Sequence, residues 1–296
     1  MAEPLRLGTR GSRLALAQSG QVAAAITAAT GVMVELVRIT TRGDQFQDKP
    51  LPGSGGKGLC TVGLETALRD GAIDLAVHSL KDLPTADPDG LMLGAIPERA
   101  DARDALVGPT IEALPQGAVV ATGSLRRRVQ LLALRPDLDI QDIRGNVDTR
   151  LRKRDEGRCV ATVLAMAGLD RLGISRPDIH PLSVEQMVPA VGQGALGIQC
   201  REGDSRVLAL LGAVEHPPTR RRIDVERAFL AAFGGGCNVP AGCHAVLQGG
   251  SIFATACHQT DGAPLARASA RGDDPEALGH ALALALDRKS TRLNSR

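Results

Sequence analysis

Leu5-Arg6-Leu7-Gly8-Thr9-Arg10-Gly11-Ser12-Arg13-Leu14-Ala15-Leu16-Ala17-Gln18 (residues 5–18) is the stretch whose reading decides the fold. Leu5–Gly8 reads as a short strand, and Thr9-Arg10-Gly11 as a turn. Ser12 then has the chemistry of an N-cap for a helix through about Ala29, which Gly31 closes. The same texture recurs along the chain. Val32–Thr40 predicts a strand, Leu59–Arg69 a helix stopped by Gly71, and Ile73–Val77 a buried strand. Ala118–Thr122, Asp139–Ile143 and Cys159–Leu164 predict further strands, followed by helices at Leu125–Leu134, Val147–Arg154 and Met166–Leu172. This alternation predicts an α/β fold with mostly parallel sheets.

The polar stretch Pro97–Asp104 is expected to mark a crossing between domains. After His216-Pro217-Pro218 the pattern changes to a helix (Arg220–Phe233), a glycine-rich loop and three β-like runs at Gly242–Leu247, Ser251–His258 and Leu265–Ala270. A last helix begins near Pro275, so this part reads as a small α+β domain. The final DRKSTRLNSR (287–296) abandons the apolar periodicity and reads as a frayed or foreign tail.

A chain of 296 residues predicts two or three domains. It has no Trp or Tyr, so its cores must be built from Leu, Val, Ile and Ala. A net charge of +2 is too weak to imply nucleic acid, and neither stacking aromatics nor a helix-turn-helix segment is evident. The N-terminus does not read as a signal peptide, and no run is long and apolar enough for a membrane span. The six cysteines (Cys60, Cys159, Cys200, Cys237, Cys243, Cys257) are scattered, unlike a secreted disulfide framework. A cytoplasmic location is expected.

In open α/β sheets, ligands bind beyond the carboxyl ends of strands. Those ends carry Arg10 and Ser12; His78, Ser79, Lys81 and Asp82; Ser124, Arg126, Arg127 and Arg128; Arg144, Asn146 and Arg150; and Arg171. One such arginine is usually a solvated charge or a surface ion pair. Their recurrence points to a cleft for a polyanion, because the guanidinium fork suits carboxylates and phosphates. A full Walker pattern is missing, and Gly55-Gly56-Lys57-Gly58 is only a fragment of one, an anion loop or a lid. Two readings stand for Asp82: a structural partner of an arginine, or a carboxylate that stabilises a substrate cation or shuttles a proton.

Gly234-Gly235-Gly236-Cys237-Asn238-Val239-Pro240 reads as a loop that exposes a thiol, a setting for a nucleophile. The bland alternative is a small buried hydrophobe, which suits the other cysteines better. Cys243-His244 and Cys257-His258 do not have a usual zinc spacing, so no metal is expected.

The segments LRLGTRGSRLALAQ, TRGD, GGKGL, DLAVHSLKDLP, GSLRRR, IRGNVDTRL, LAMAGLDRLG, VPAVGQGALGIQCR and GGGCNVP occur in this order. Together they resemble the hydroxymethylbilane synthase (porphobilinogen deaminase) family along nearly the whole chain. The resemblance implies three domains: two α/β domains like type II periplasmic binding proteins, and a small α+β C-terminal domain. It places domain one at 1–97 with a return segment at 194–213, domain two at 98–193, the third at 217–289, and a tail at 290–296. It implies a transferase of tetrapyrrole and heme biosynthesis that joins four porphobilinogen molecules head to tail and releases ammonia. The implied cofactor is a dipyrromethane held by a thioether to Cys237. Asp82 matches the catalytic aspartate. Arg10, Ser12, Lys81, Ser124, Arg126, Arg127, Arg144, Asn146, Arg150, Arg171 and Gln193 match positions that hold cofactor and substrate, and Lys57 and Cys60 lie in the lid loop.

The chain departs from the pattern at Cys60, where many relatives carry Phe, and at Gly53, where some carry Lys. A monomer is expected, whose partners are porphobilinogen and the growing polypyrrole, with a functional link to uroporphyrinogen-III synthase. The rival readings are a small organic anion-binding protein and an inactive relative.

Overall fold

The computed structural model describes residues 3–39, 61–234, 239–260 and 262–293. Lys57, Cys60, Gly53 and Cys237 therefore lie outside the described residues. The opening stretch folds as its chemistry dictates, into β1 (Leu5–Thr9) and α1 (Arg13–Thr30). The Ser12 hydroxyl accepts the Ala15 N–H at 3.2 Å. Gly31 closes the helix at φ 73°, a left-handed conformation that favours glycine, and its N–H reaches Thr27 O at 2.8 Å.

The chain divides into two compact units, Met1–Ala100 with Ala195–Arg220, and Asp101–Gly194 with Arg221–Arg296. The first holds β1, β2 (Val34–Arg38), α2 (Val62–Arg69), β3 (Leu75–Ser79) and β4 (Leu91–Ala95). In the second, β5 (Asp104–Val107), β6 (Val119–Ala121), α3 (Leu125–Leu134), β7 (Asp139–Gln141) and α4 (Val147–Asp155) come first. They are followed by β8 (Ala161–Ala165), α5 (Met166–Arg171) and β9 (Ile179–Pro181). The return segment gives β10 (Leu196–Arg201) and α6 (Ser205–Gly212). Then come α7 (Pro217–Ala231), β11 (Ala241–Gln248), β12 (Ser251–His258), β13 (Ala266–Gly272) and α8 (Pro275–Leu293).

The first sheet has the order β2-β1-β3-β10-β4 and the second β7-β6-β8-β5-β9. The two topologies correspond strand for strand. The sheets are mostly parallel, as expected, with one reversed strand in each: four of the five described strands run one way, β10 opposing them in the first sheet and β5 in the second. β1, β2 and β3 are parallel, but β10 runs antiparallel to both β3 and β4. Likewise β6, β7 and β8 are parallel, but β5 runs antiparallel to β8 and β9. The cause lies in where each strand enters. Leu196 opens β10 opposite Ser79, the last residue of β3, and Asp104 opens β5 opposite Ala165, the last residue of β8. Each strand starts at the carboxyl edge of its parallel neighbours, with no helix to carry the chain back first.

Leu5, Leu7, Val22, Ile26, Leu75, Ile198 and Leu211 share the first unit's main core. A Cβ on Gly8 would stand 2.3 Å from Ile73 Cδ1 and 3.0 Å from Leu64 Cδ2, so β1 has no room for a side chain there. The second sheet packs Leu106, Val120, Leu131, Ile140 and Val163. The third sheet, β11-β12-β13, is antiparallel. It shares a core with α7 and α8 through Val225, Phe229, Ala254, Leu278 and Leu286. The frayed tail that the sequence suggests is instead helical through Leu293, as α8 continues into it.

Candidate active site

In the first unit, β1 and β3 are neighbouring parallel strands, with Leu7 opposite Leu75 and Gly8 opposite Ala76. The turns that follow them thus emerge from one sheet edge. The β1 turn carries half-buried Arg10 and the cap Ser12. β3 runs directly into a short 3-10 turn, Leu80–Asp82. Leu80 is buried, Lys81 half-buried and Asp82 exposed. Gln18 Nε2 donates to Ser79 Oγ at 2.8 Å, binding α1 to the end of β3. His78 lies buried just before, with Nε2 3.2 Å from Gln199 Oε1. Burial lowers its pKa to about 4, with the Arg10 charge acting the same way, so this imidazole is neutral near pH 7. The structure thus brings Arg10, Ser12, Lys81 and Asp82 to one edge around a neutral histidine.

In the second unit Ser124 caps α3, its hydroxyl accepting from Arg127 N at 3.4 Å. The same helix turns Arg126 and Arg127 into the protein, onto Asp104. Asp104 is fully buried, at 0% exposure. Arg127 Nε and Nη2 donate to Asp104 Oδ1 at 3.1 and 2.7 Å, and Arg127 Nη1 donates to Val163 O at 2.8 Å. Arg126 Nη1 stands 2.8 Å from Asp104 Oδ2 as an ion pair and donates to Val188 O at 2.6 Å. Gln193 Nε2 adds donations to Ala102 O at 2.8 Å and to Asp104 Oδ1 at 3.0 Å. Burial opposes ionisation of Asp104, but the Arg126 and Arg127 charges outweigh it and hold the carboxyl well below its usual range.

Arg144 and Asn146 lie in the β7–α4 turn, and Arg150 in the first turn of α4. Exposed Arg144 pairs with Asp142 at 2.8 Å. Asn146 caps α4 by accepting from Thr149 N at 2.9 Å. Arg150 Nε donates to Gly145 O at 2.8 Å. A Cβ on Gly123 would lie 2.8 Å from Asp142 Oδ1, so the β6–α3 and β7–α4 turns are in close contact. Arg171, at the end of α5, donates from Nη2 to Gly194 O at 2.8 Å, and burial pushes its pKa down. Asp104 and Gln130 are absent from the set inferred from sequence. Their signal was weak: Asp104 lies in a polar stretch that reads as linker, and Gln130 sits mid-helix.

Gln130 joins this cluster to the third sheet. It accepts from Val188 N at 2.8 Å and from Arg267 Nη2 at 3.2 Å, and donates to Val188 O at 3.1 Å. Cys243 N reaches Pro189 O at 3.1 Å. Glu226 on α7 is fully buried and accepts from Gly192 N at 2.8 Å and Ala245 N at 3.0 Å. α7 and β11, the elements flanking the cysteine loop, are both held against residues 188–192 in this way.

Cys159, Cys200, Cys243 and Cys257 are buried free thiols. Burial raises Cys200 and Cys257 to about 11. His258 stacks on Phe233 with ring centroids 4.2 Å apart. No cluster of potential metal ligands occurs among the described residues. None of the described helices is long and apolar enough to cross a membrane.

Residues 5–209 match the family model described as porphobilinogen deaminase, dipyromethane cofactor binding domain, and 221–288 match the porphobilinogen deaminase C-terminal domain. A porphobilinogen deaminase of Roseiflexus castenholzii is 49% identical over 289 residues, covering 96% of this chain and 95% of its own. One of Rubrobacter xylanophilus is 48% identical over 291 residues, covering 97% and 94%. One of Nitratidesulfovibrio vulgaris is 51% identical over 254 residues, covering 84% and 80%. Among solved structures, the methionine-binding protein MetQ covers 71% of this chain and 89% of its own at TM-score 0.42 and 14% identity. Two family models matched in order, and relatives near half identical over almost the whole length, place the chain in the porphobilinogen deaminase family.

Proposed function

We propose that this protein is a transferase that joins four porphobilinogen molecules head to tail into hydroxymethylbilane, releasing one ammonia per addition. The observation that carries this is the first unit's sheet edge, where Asp82 stands exposed beside Lys81 on the turn ending β3, next to the turn of Arg10 and Ser12. A porphobilinogen ring brings two carboxylates, an N–H and an aminomethyl group. Lys81, Arg10 and Ser12 suit the carboxylates. The Asp82 carboxylate accepts from the pyrrole N–H and opposes the positive charge that develops as ammonia leaves.

The residues present also fit a dipyrromethane: its several carboxylates need cations and hydroxyls, which Ser124, Arg126, Arg144, Asn146, Arg150 and Arg171 supply, while Arg127, engaged by Asp104 and Val163 O, backs Arg126 from inside. The group supplies a tethered primer with a nucleophilic pyrrole carbon. Cys237 is its attachment point, and the anchored α7 and β11 fix where the loop starts and ends. Tethering makes each addition local. Gln193 braces the Asp104 cluster.

The proposed domains are 1–97 with 194–213, then 98–193, then 217–289. A cytoplasmic monomer with a functional link to uroporphyrinogen-III synthase completes the reading. The test is the intact mass of the purified protein and of Cys237→Ser, together with ammonia release from porphobilinogen. An excess of two pyrrole units that is lost in the variant supports the proposal. An unmodified mass with no ammonia released overturns it.

A further inference from the structure

Asp104, which organises the buried charges of the second unit, has no part in the chemistry proposed above. Together with Val163 O it engages every nitrogen of Arg127, since Nε and Nη2 lie on Asp104 Oδ1 and Nη1 on Val163 O. Arg126 is engaged at one nitrogen only: Nη1 meets Asp104 Oδ2 and Val188 O. Among the described residues, no hydrogen bond engages Arg126 Nε or Nη2. The Arg126 stem is also fixed, because a Cβ on Gly242 would come within 3.2 Å of its Cδ. Two buried guanidiniums against one buried carboxylate leave a net positive charge at 5% exposure or less. Such a charge favours one further anionic partner.

We propose that Asp104 is a positioning residue for carboxylate recognition: it holds Arg127 as support and turns Arg126 so that Nε and Nη2 face a ligand carboxylate. This rests on the reading of the protein as a porphobilinogen transferase. Asp104→Asn isolates the effect. The amide oxygen would stay with the three donors from Arg127 and Gln193, which leaves an NH2 group facing Arg126 Nη1, donor against donor. Arg126 is then displaced while Arg127 keeps its partner.

The test uses the full chain. Steady-state kinetics of Asp104→Asn should show KM for porphobilinogen raised about tenfold or more, with kcat changed far less. In a Cys237→Ser background, calorimetric binding of porphobilinogen should weaken by a similar factor. A double-mutant cycle with Arg126→Gln should be non-additive, the double variant binding no worse than Arg126→Gln alone. A lowered melting temperature with KM and affinity within twofold of the parent overturns the proposal, as does full additivity. Should Asp104→Asn not fold, Gln193→Met removes one donor to Asp104 and should raise KM severalfold, and an unchanged KM again overturns it. The parent measured alongside separates the two readings: if it binds no porphobilinogen, the transferase reading fails and takes this proposal with it.

Discussion

Gln18 of α1 donates from Nε2 to Ser79 Oγ at 2.8 Å, so the helix that Ser12 caps also fixes the strand end leading into Lys81 and Asp82. Gln18 is buried at 5% exposure, so its removal takes away a largely desolvated partner of Ser79. Gln18→Met is expected to cost about 1 kcal/mol of stability and to lower kcat severalfold by loosening the Asp82 turn. Urea titration and steady-state kinetics check both, and Ser79→Ala should reproduce the pattern.

Asp82 is exposed, so its substitution should leave the fold intact. Asp82→Asn keeps the shape but removes the charge, and kcat is expected to fall about 100-fold or more, the usual scale for losing a group that stabilises developing charge. The melting temperature should stay within about 1–2 °C of the parent. A fall in kcat matched by a collapse of the melt would assign Asp82 to structure instead.

His78 makes stability depend on pH. Its pKa is about 4 in the folded protein against an ordinary 6.5, because burial disfavours the charged ring. Between those values the unfolded chain binds the extra proton. This contribution is therefore fully present above pH 6.5 and is lost as pH falls toward 4, by roughly 3 kcal/mol. Denaturant melts at pH 7, 5.5 and 4.5 should show the decline. His78→Asn, which does not titrate, should flatten that part of the profile.

Gly242 is where the third sheet meets the Arg126 cluster. A Cβ there would stand 2.8 Å from both Val188 O and Pro189 O, backbone atoms already clamped by Gln130 and Cys243. Gly242→Ala is expected to destabilise by about 1–3 kcal/mol and to weaken porphobilinogen binding through Arg126. Thermal unfolding and calorimetry of the same samples measure both.

The buried thiols should be inert. Cys159, Cys200, Cys243 and Cys257 are expected to stay unmodified by iodoacetamide in the native state, with Cys200 and Cys257 raised to about 11. Peptide mapping should find native-state label only at Cys60 or Cys237, and none at Cys237 once it carries a thioether.

Local chemistry was legible in the sequence where local chemistry decides. Ser12 and Gly31 bound α1 as read, Leu125–Leu134 is helical to the residue, and Ser251–His258 is a strand to the residue. β5 and β10 were not legible, because each is a short strand whose direction depends on where the chain arrives rather than on its own pattern. The site divides in the same way. Strand-end cations announce an anion site by their recurrence. That Arg126 and Arg127 turn inward onto Asp104, more than twenty positions earlier, depends on a partner no local window contains.

The order β2-β1-β3-β10-β4 has a consequence for biosynthesis. Among the described residues β4 lies at the sheet edge and pairs with β10 alone, so there Leu91–Ala95 has no neighbouring strand until the ribosome has made Leu196–Arg201. The second sheet draws every strand from residues 104–181 and can close while the first still has a vacant lane. The emerging chain thus completes its middle before its beginning. A nascent chain arrested before residue 196 should protect the second sheet from protease and leave Leu91–Ala95 open to it.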